Sequence, residues 1–218
     1  MNKIQNDMTI ENELMISLGL IRSSLFYLYY DNGEEDVLFT FLQLASSGFE
    51  RLLKLIITCD NKNKTGNFCT SKELKGKKLR HNIVSALDFI EKNIDTSLIR
   101  EKSLDDLLTI FSKFGDYNRY ENLDILGGEN VISYKDQFSD YAQSIYKNSS
   151  QPQYDENEIQ QQNIEIIKTL FSLTNDLLIL LDKVCPDGKN RAFIYRKQFN
   201  NITELLQKFE QKKISIFE

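Results

Sequence analysis

Apolar residues recur along this chain at intervals of three and four, and no long run alternates at intervals of two. Leu14, Leu18, Ile21, Leu25 and Leu28 set the pattern, and Leu38, Leu42, Ala45, Phe49, Leu52 and Ile56 repeat it. Intervals of three and four put side chains on one face of an α-helix, whereas a half-buried strand needs strict alternation. Only two prolines occur, and the nine glycines fall mostly between the periodic runs. The expected fold class is therefore all-α: a bundle of about seven helices with no sheet.

The stripes and their caps place the elements. A first helix is expected over about Glu11–Tyr30, ended by Asp31-Asn32-Gly33, and a second over about Glu34–Thr58. Val37, Phe41 and Leu53 widen the apolar face of the second, which marks it as central. Gly48 lowers its helix propensity, and a close crossing by another helix would account for it. Asp60–Asn67 reads as a polar loop. Thr70 and Glu73 then make a T-x-x-E capping box that opens a short turn, interrupted by Gly76. A third helix carries Leu79, Ile83, Leu87, Ile90 and Ile94. Ser103 with Asp106 caps a fourth, and Ser133 with Asp136 caps a fifth. A sixth runs over about Glu158–Val184 and a last over about Arg191–Lys212. The length favours one helical domain over residues 1–218. The polar stretch Asn148–Asn157 is the best linker candidate.

Several function classes are removed at this level. The formal charge is −5, which excludes a globally basic nucleic-acid binder but leaves room for a local basic patch. The three cysteines, Cys59, Cys69 and Cys185, are odd in number and form no C-x-x-C pair, as expected of reduced thiols in the cytoplasm. One histidine, His81, leaves no basis for a zinc site built from several His and Cys ligands. No metal and no cofactor is expected. There is no P-loop, no G-x-G-x-x-G and no G-x-S-x-G. The longest uncharged apolar stretch, Val37–Phe49, is too short to span a bilayer, which takes about 20 residues.

Three features carry candidate chemistry. Gln43, Ser47, Glu50 and Lys54 form a polar stripe on the central helix, with Arg51 beside it. Glu50 precedes Lys54 by four residues, the favourable order for a helical ion pair. The stripe is either a functional surface or a solvated face whose pair contributes about 0.3–0.5 kcal/mol. A basic run follows: Lys62, Lys64, Lys72, Lys75, Lys77, Lys78 and Arg80 stand between Asn61 and His81, with Glu73 the only acid. Such a cluster attracts phosphates or simply keeps a loop solvated. The third feature is Arg80-His81-Asn82, read as early in the third helix with His81 on its polar side. Histidine suits proton transfer near neutral pH, and a lone histidine equally serves structure. Cys59 and Cys69 flank the polar loop, and buried or incidental thiols are the simpler reading of both.

Ser47-Gly48-Phe49-Glu50-Arg51-Leu52-Leu53-Lys54, Lys78-Leu79-Arg80-His81-Asn82-Ile83 and Arg119-Tyr120-Glu121-Asn122-Leu123-Asp124 resemble segments of the HEPN superfamily. These are all-helical domains, and the nearest likeness is to abortive-infection, phage-defence proteins of the AbiV type. The resembling residues make up about a tenth of the chain and lie within its first 125 residues. The resemblance implies a HEPN-like part over about residues 9–125, completed by C-terminal helices over about 133–213. It also implies a homodimer and a partner or antitoxin protein. Many HEPN domains are metal-independent endoribonucleases that use an R-x(4–6)-H motif. Here no arginine lies five to seven residues before His81; Arg80 adjoins it. Members without the motif serve as binding or scaffold modules.

Two functions are thus expected. In the first, the chain is an RNA-binding effector and metal-independent endoribonuclease. His81 shuttles the proton, Arg80 or Arg51 neutralises phosphate charge, Glu50 orients them, and Lys54, Lys72, Lys75, Lys77 and Lys78 bind RNA. In the second, it is a non-catalytic helical interaction module. Antiparallel packing of the second and third helices would bring His81 near Glu50 and Arg51.

Overall fold

A computed structural model describes residues 3–31, 35–76, 79, 81–95, 102–116, 133–145 and 156–185. Among them stand seven helices and no strand: α1 Lys3–Tyr29, α2 Glu35–Thr65, α3 Ser71–Gly76, α4 Ile83–Asn93, α5 Lys102–Asp116, α6 Tyr134–Ile145 and α7 Glu156–Val184. The helix expected over 191–212, the segment 119–124, and Lys77, Lys78 and Arg80 lie outside the described residues.

Helix α2 is the spine. It packs against α1, α4, α5 and α7, and α6 is held mainly through α5. This follows from its wide apolar face: Phe41, Leu42, Ala45, Phe49, Leu52 and Ile56 are fully buried, and Leu53 and Ile57 nearly so. Phe41 meets Phe111 of α5 and Phe138 of α6, each at 5.7 Å between ring centroids. Phe49 stacks on Phe111 at 6.0 Å. Ring contacts of this kind add directionality to plain area burial. They fix α5 and α6 against the spine.

The α1–α2 crossing is as close as Gly48 suggested. A Cβ at Gly48 would stand 2.7 Å from Ile21 Cγ1, 3.0 Å from the Ile21 nitrogen and 3.1 Å from the Ser17 carbonyl oxygen. No side chain fits there. The small, buried Ser17 and Ser24 on the facing side of α1 direct their hydroxyls to the carbonyls of Glu13 and Ile21 (both 2.7 Å), so burying them leaves no hydroxyl donor unsatisfied.

Three boundaries differ from the sequence expectation. Helix α1 begins at Lys3 rather than near Glu11, and Ile10 extends its buried stripe by a turn. Helix α2 runs to Thr65, through residues expected to be a loop. The polar turn is held by side chains: Lys64 pairs with Asp60 at 2.8 Å and donates to the Asn93 carbonyl at 2.9 Å. Asn63 donates to the Val184 carbonyl at 2.6 Å. Gly66, at φ +80°, then ends the helix in the left-handed conformation that glycine adopts without a steric penalty. Finally, Leu79 is buried but not helical, and α4 starts only at Ile83. The box at Thr70 and Glu73 forms as expected, and it opens a helix of six residues.

Candidate functional site

Helix α4 has a complete cap, and that cap positions His81. Asn82 has extended backbone (φ −87°, ψ 99°), and its side-chain oxygen accepts from the Ser85 nitrogen at 2.8 Å. Ser112 of α5 accepts from the nitrogens of Ile83 at 3.0 Å and Val84 at 3.3 Å, and donates to the Leu108 carbonyl at 2.9 Å. The first three amides of α4 are therefore occupied, and its N-terminus offers no open donors to a phosphate. His81 immediately precedes the cap and is not part of the helix, a correction to its expected placement. The reason is local: an extended Asn cap cannot have a helical residue running through it. Gly115, near the end of α5, lies beneath this segment, its Cβ direction 3.7 Å from the His81 carbonyl oxygen.

From there the imidazole reaches α2. His81 Nδ1 lies 3.2 Å from Glu50 Oε2, and Lys54 Nζ donates to Glu50 Oε1 at 2.5 Å. The expected approach of His81 to Glu50 is present. The carboxylate only accepts, so the pair requires the proton on Nδ1 when the imidazole is neutral. Nε2 then carries the free lone pair. About a third of the His81 side chain is exposed (34%), against 22% for Glu50 and 23% for Lys54. The three thus form a half-buried cluster with its more accessible end at the imidazole. The rest of the stripe is half-buried too, with Gln43 donating to Ser47 Oγ at 3.3 Å. It is not a solvated face.

Arg51 departs from the expectation. Its guanidinium turns to α1, where Nη1 donates to Glu13 Oε1 at 3.2 Å, instead of joining His81. Arg51 follows Glu50 directly, and neighbours in a helix point about 100° apart, so one faces α4 while the other faces α1. Glu13 was missed at the sequence level. Its partner is 38 positions away, and no local pattern marks the pair. Ser112 was missed for the same reason.

The basic run divides. Lys62 donates to the Gly66 carbonyl and sits 5.4 Å from the Phe68 ring centroid, and Lys64 is engaged as described. Both serve the end of α2. Lys72 and Lys75 are exposed on α3.

Cys59 is fully buried, and its thiol is held far above the usual range by a hydrogen bond to Cys185 and by burial. It is not a nucleophile at neutral pH. Among the described residues no cluster of His, Cys, Asp and Glu suits a metal ion, and no helix is long and apolar enough to cross a membrane. No protein-family model, curated protein or solved structure matches this chain.

Proposed function

We propose that this protein is a HEPN-like phage-defence effector that binds RNA and cleaves it without a metal ion. The observation that carries the reading is the His81–Glu50 contact, 3.2 Å long and joining two elements 31 positions apart in sequence. A histidine whose Nδ1 proton is held by a carboxylate presents Nε2 as a base, the arrangement that orients catalytic imidazoles in hydrolases. In the proposed reaction Nε2 takes the proton of a ribose 2′-hydroxyl. The 2′-oxygen attacks the adjacent phosphorus, and the P–O5′ bond breaks. The leaving 5′-oxygen is protonated by water, and the hydroxide so formed takes the proton back from the His81 imidazolium, giving a 2′,3′-cyclic phosphate, a 5′-hydroxyl and a regenerated base. Arg80 neutralises charge on the phosphate. Lys72, Lys75, Lys77 and Lys78 hold the strand, and Lys54 fixes Glu50.

The test is incubation of the purified protein with RNA, with and without chelator. Cleavage unchanged by chelator, with His81→Ala at least about 100-fold slower while folded, supports the reading. Cleavage that needs a divalent ion, or full activity in His81→Ala, overturns it.

A second reading is favoured by one observation: the cations of the stripe are already paired, Lys54 with Glu50 and Arg51 with Glu13. A self-neutralised polar cluster suits a non-catalytic interaction module. No cleavage at high protein concentration, together with a stability loss in His81→Ala, supports that alternative.

A further inference from the structure

The thiols play no part in either functional reading. Cys59 is fully buried on α2, while Cys69 and Cys185 are only partly so. Two of them meet at one joint. Cys59 and Asn63 stand one turn apart on the same face of α2. Asn63 donates to the Val184 carbonyl at 2.6 Å, which brings the end of α7 against that face. Cys185 follows Val184 directly and keeps to the last turn, its nitrogen donating to the Leu181 carbonyl at 2.8 Å. Both cysteines pack into the same apolar cluster. Their sulfurs are in contact there, with the Cys59 S–H donating to Cys185.

Cysteines whose side chains point apart cannot be bridged without backbone movement, so two thiols already in contact are a selected pair. The two sulfurs differ in access. Cys59 is sealed, and Cys185 is the one that solvent reaches. A small uncharged oxidant such as hydrogen peroxide therefore meets Cys185 first. The oxygenated sulfur then lies beside a second thiol, the setting in which a sulfenic acid condenses to a disulfide before it is oxidised further.

We propose that Cys185 and Cys59 are a peroxide-responsive pair that closes, reversibly, to a disulfide joining the ends of α2 and α7. Cys185 is the attacked thiol and Cys59 the resolving one. Cys185 loses its proton to solvent, and its sulfur attacks one peroxide oxygen. The O–O bond breaks, and the departing hydroxide takes up a proton to become water. Cys185 now carries a sulfenic acid. Its sulfur no longer offers the acceptor that was the first restraint on the Cys59 proton. The Cys59 sulfur attacks that of Cys185, the S–O bond breaks, and hydroxide leaves with the Cys59 proton as a second water. Two thiols are oxidised, and one peroxide is reduced to two waters. Cys69 takes no part. The proposal is independent of the RNA reading.

Hydrogen peroxide added to the folded full chain tests it. The remaining thiols are blocked, and peptide mass spectrometry without reductant reads the product. A Cys59–Cys185 cross-linked peptide pair is expected, lighter than the two thiol peptides by the lost hydrogens and split by dithiothreitol. The cross-link should raise the Tm by about 4 °C or more. Cys59→Ala should stop at the first step and leave a Cys185 sulfenic acid that dimedone traps. Cys69→Ala should leave the yield of cross-link unchanged. In urea the fold no longer selects the pair, and the much shorter loop between Cys59 and Cys69 should close instead. Peroxide that carries Cys185 to the sulfinic acid while Cys59 stays a thiol overturns the proposal. So does a folded protein in which both stay thiols, or one whose main disulfide runs through Cys69.

Discussion

Ser112 bonds to the backbone at three points. Its one hydroxyl closes two amides of α4 and returns a proton to its own helix. Ser112→Ala keeps the volume nearly constant but strands the Ile83 and Val84 amides beside a buried methyl group. An unsatisfied buried donor costs about 1–3 kcal/mol, so a loss within that range is expected in chemical denaturation. The His81 segment should loosen with it, and hydrogen exchange at Ile83 and Val84 should accelerate more than at Leu104. Gly48 gives a second prediction at this scale. Gly48→Ala inserts a methyl group against the backbone of α1 as well as the Ile21 side chain. The gain in helix propensity, about 1 kcal/mol, is then outweighed. Overpacking typically costs about 1–3 kcal/mol, and a net fall in stability by thermal or urea unfolding is expected.

What the sequence discloses about an element depends on how far its partners lie along the chain. The T-x-x-E box at Thr70 and Glu73 was readable because both partners stand within one turn. The buried faces of α1, α2, α5 and α7 were readable because periodicity is also local. The last turns of α2 were not. Asp60–Thr65 carries no apolar stripe, and what retains it in the helix includes the Val184 carbonyl, 121 positions away. The start of α4 was misplaced because Leu79 continues the apolar spacing of Ile83 and Leu87 although it is held by a bond to the Leu74 carbonyl. The Asn82–Ser85 pair was the local signal that should have set the boundary. Within the site, Glu50, Lys54 and His81 were identifiable from residue type and spacing. The direction of Arg51 depended on Glu13 of a different helix. An Asn63→Ala variant tests the element-scale account. It should fray α2 beyond Asp60, seen as faster exchange of the Thr65 and Gly66 amides, while the Leu52–Ile57 core stays protected.

At the scale of the whole molecule, alkaline pH is a clear lever. Tyr141 of α6 is buried, and its phenol is held above its ordinary value of 10.0, first by burial and then by the Asp106 carboxylate. Tyr29 is raised in the same direction by burial and by Tyr30. A folded-state value above the unfolded one means the unfolded chain releases the proton first. These phenols therefore leave stability unchanged below pH 10 and erode it as pH rises further. Stability measured by urea unfolding should fall above pH 10, and Tyr141→Phe should flatten that fall. The contact between α2 and α7 has another consequence, which concerns synthesis. The spine is made early, and the helix that completes its burial ends at Val184, 121 positions after Asn63. At translation rates of about 5–20 residues per second, part of the apolar surface of α2 waits roughly 6–24 seconds for its partner. During that interval the nascent chain presents that surface to the ribosome exit and to chaperones, so a pause in translation before α7 should lower the yield of folded protein more than an equal pause after it.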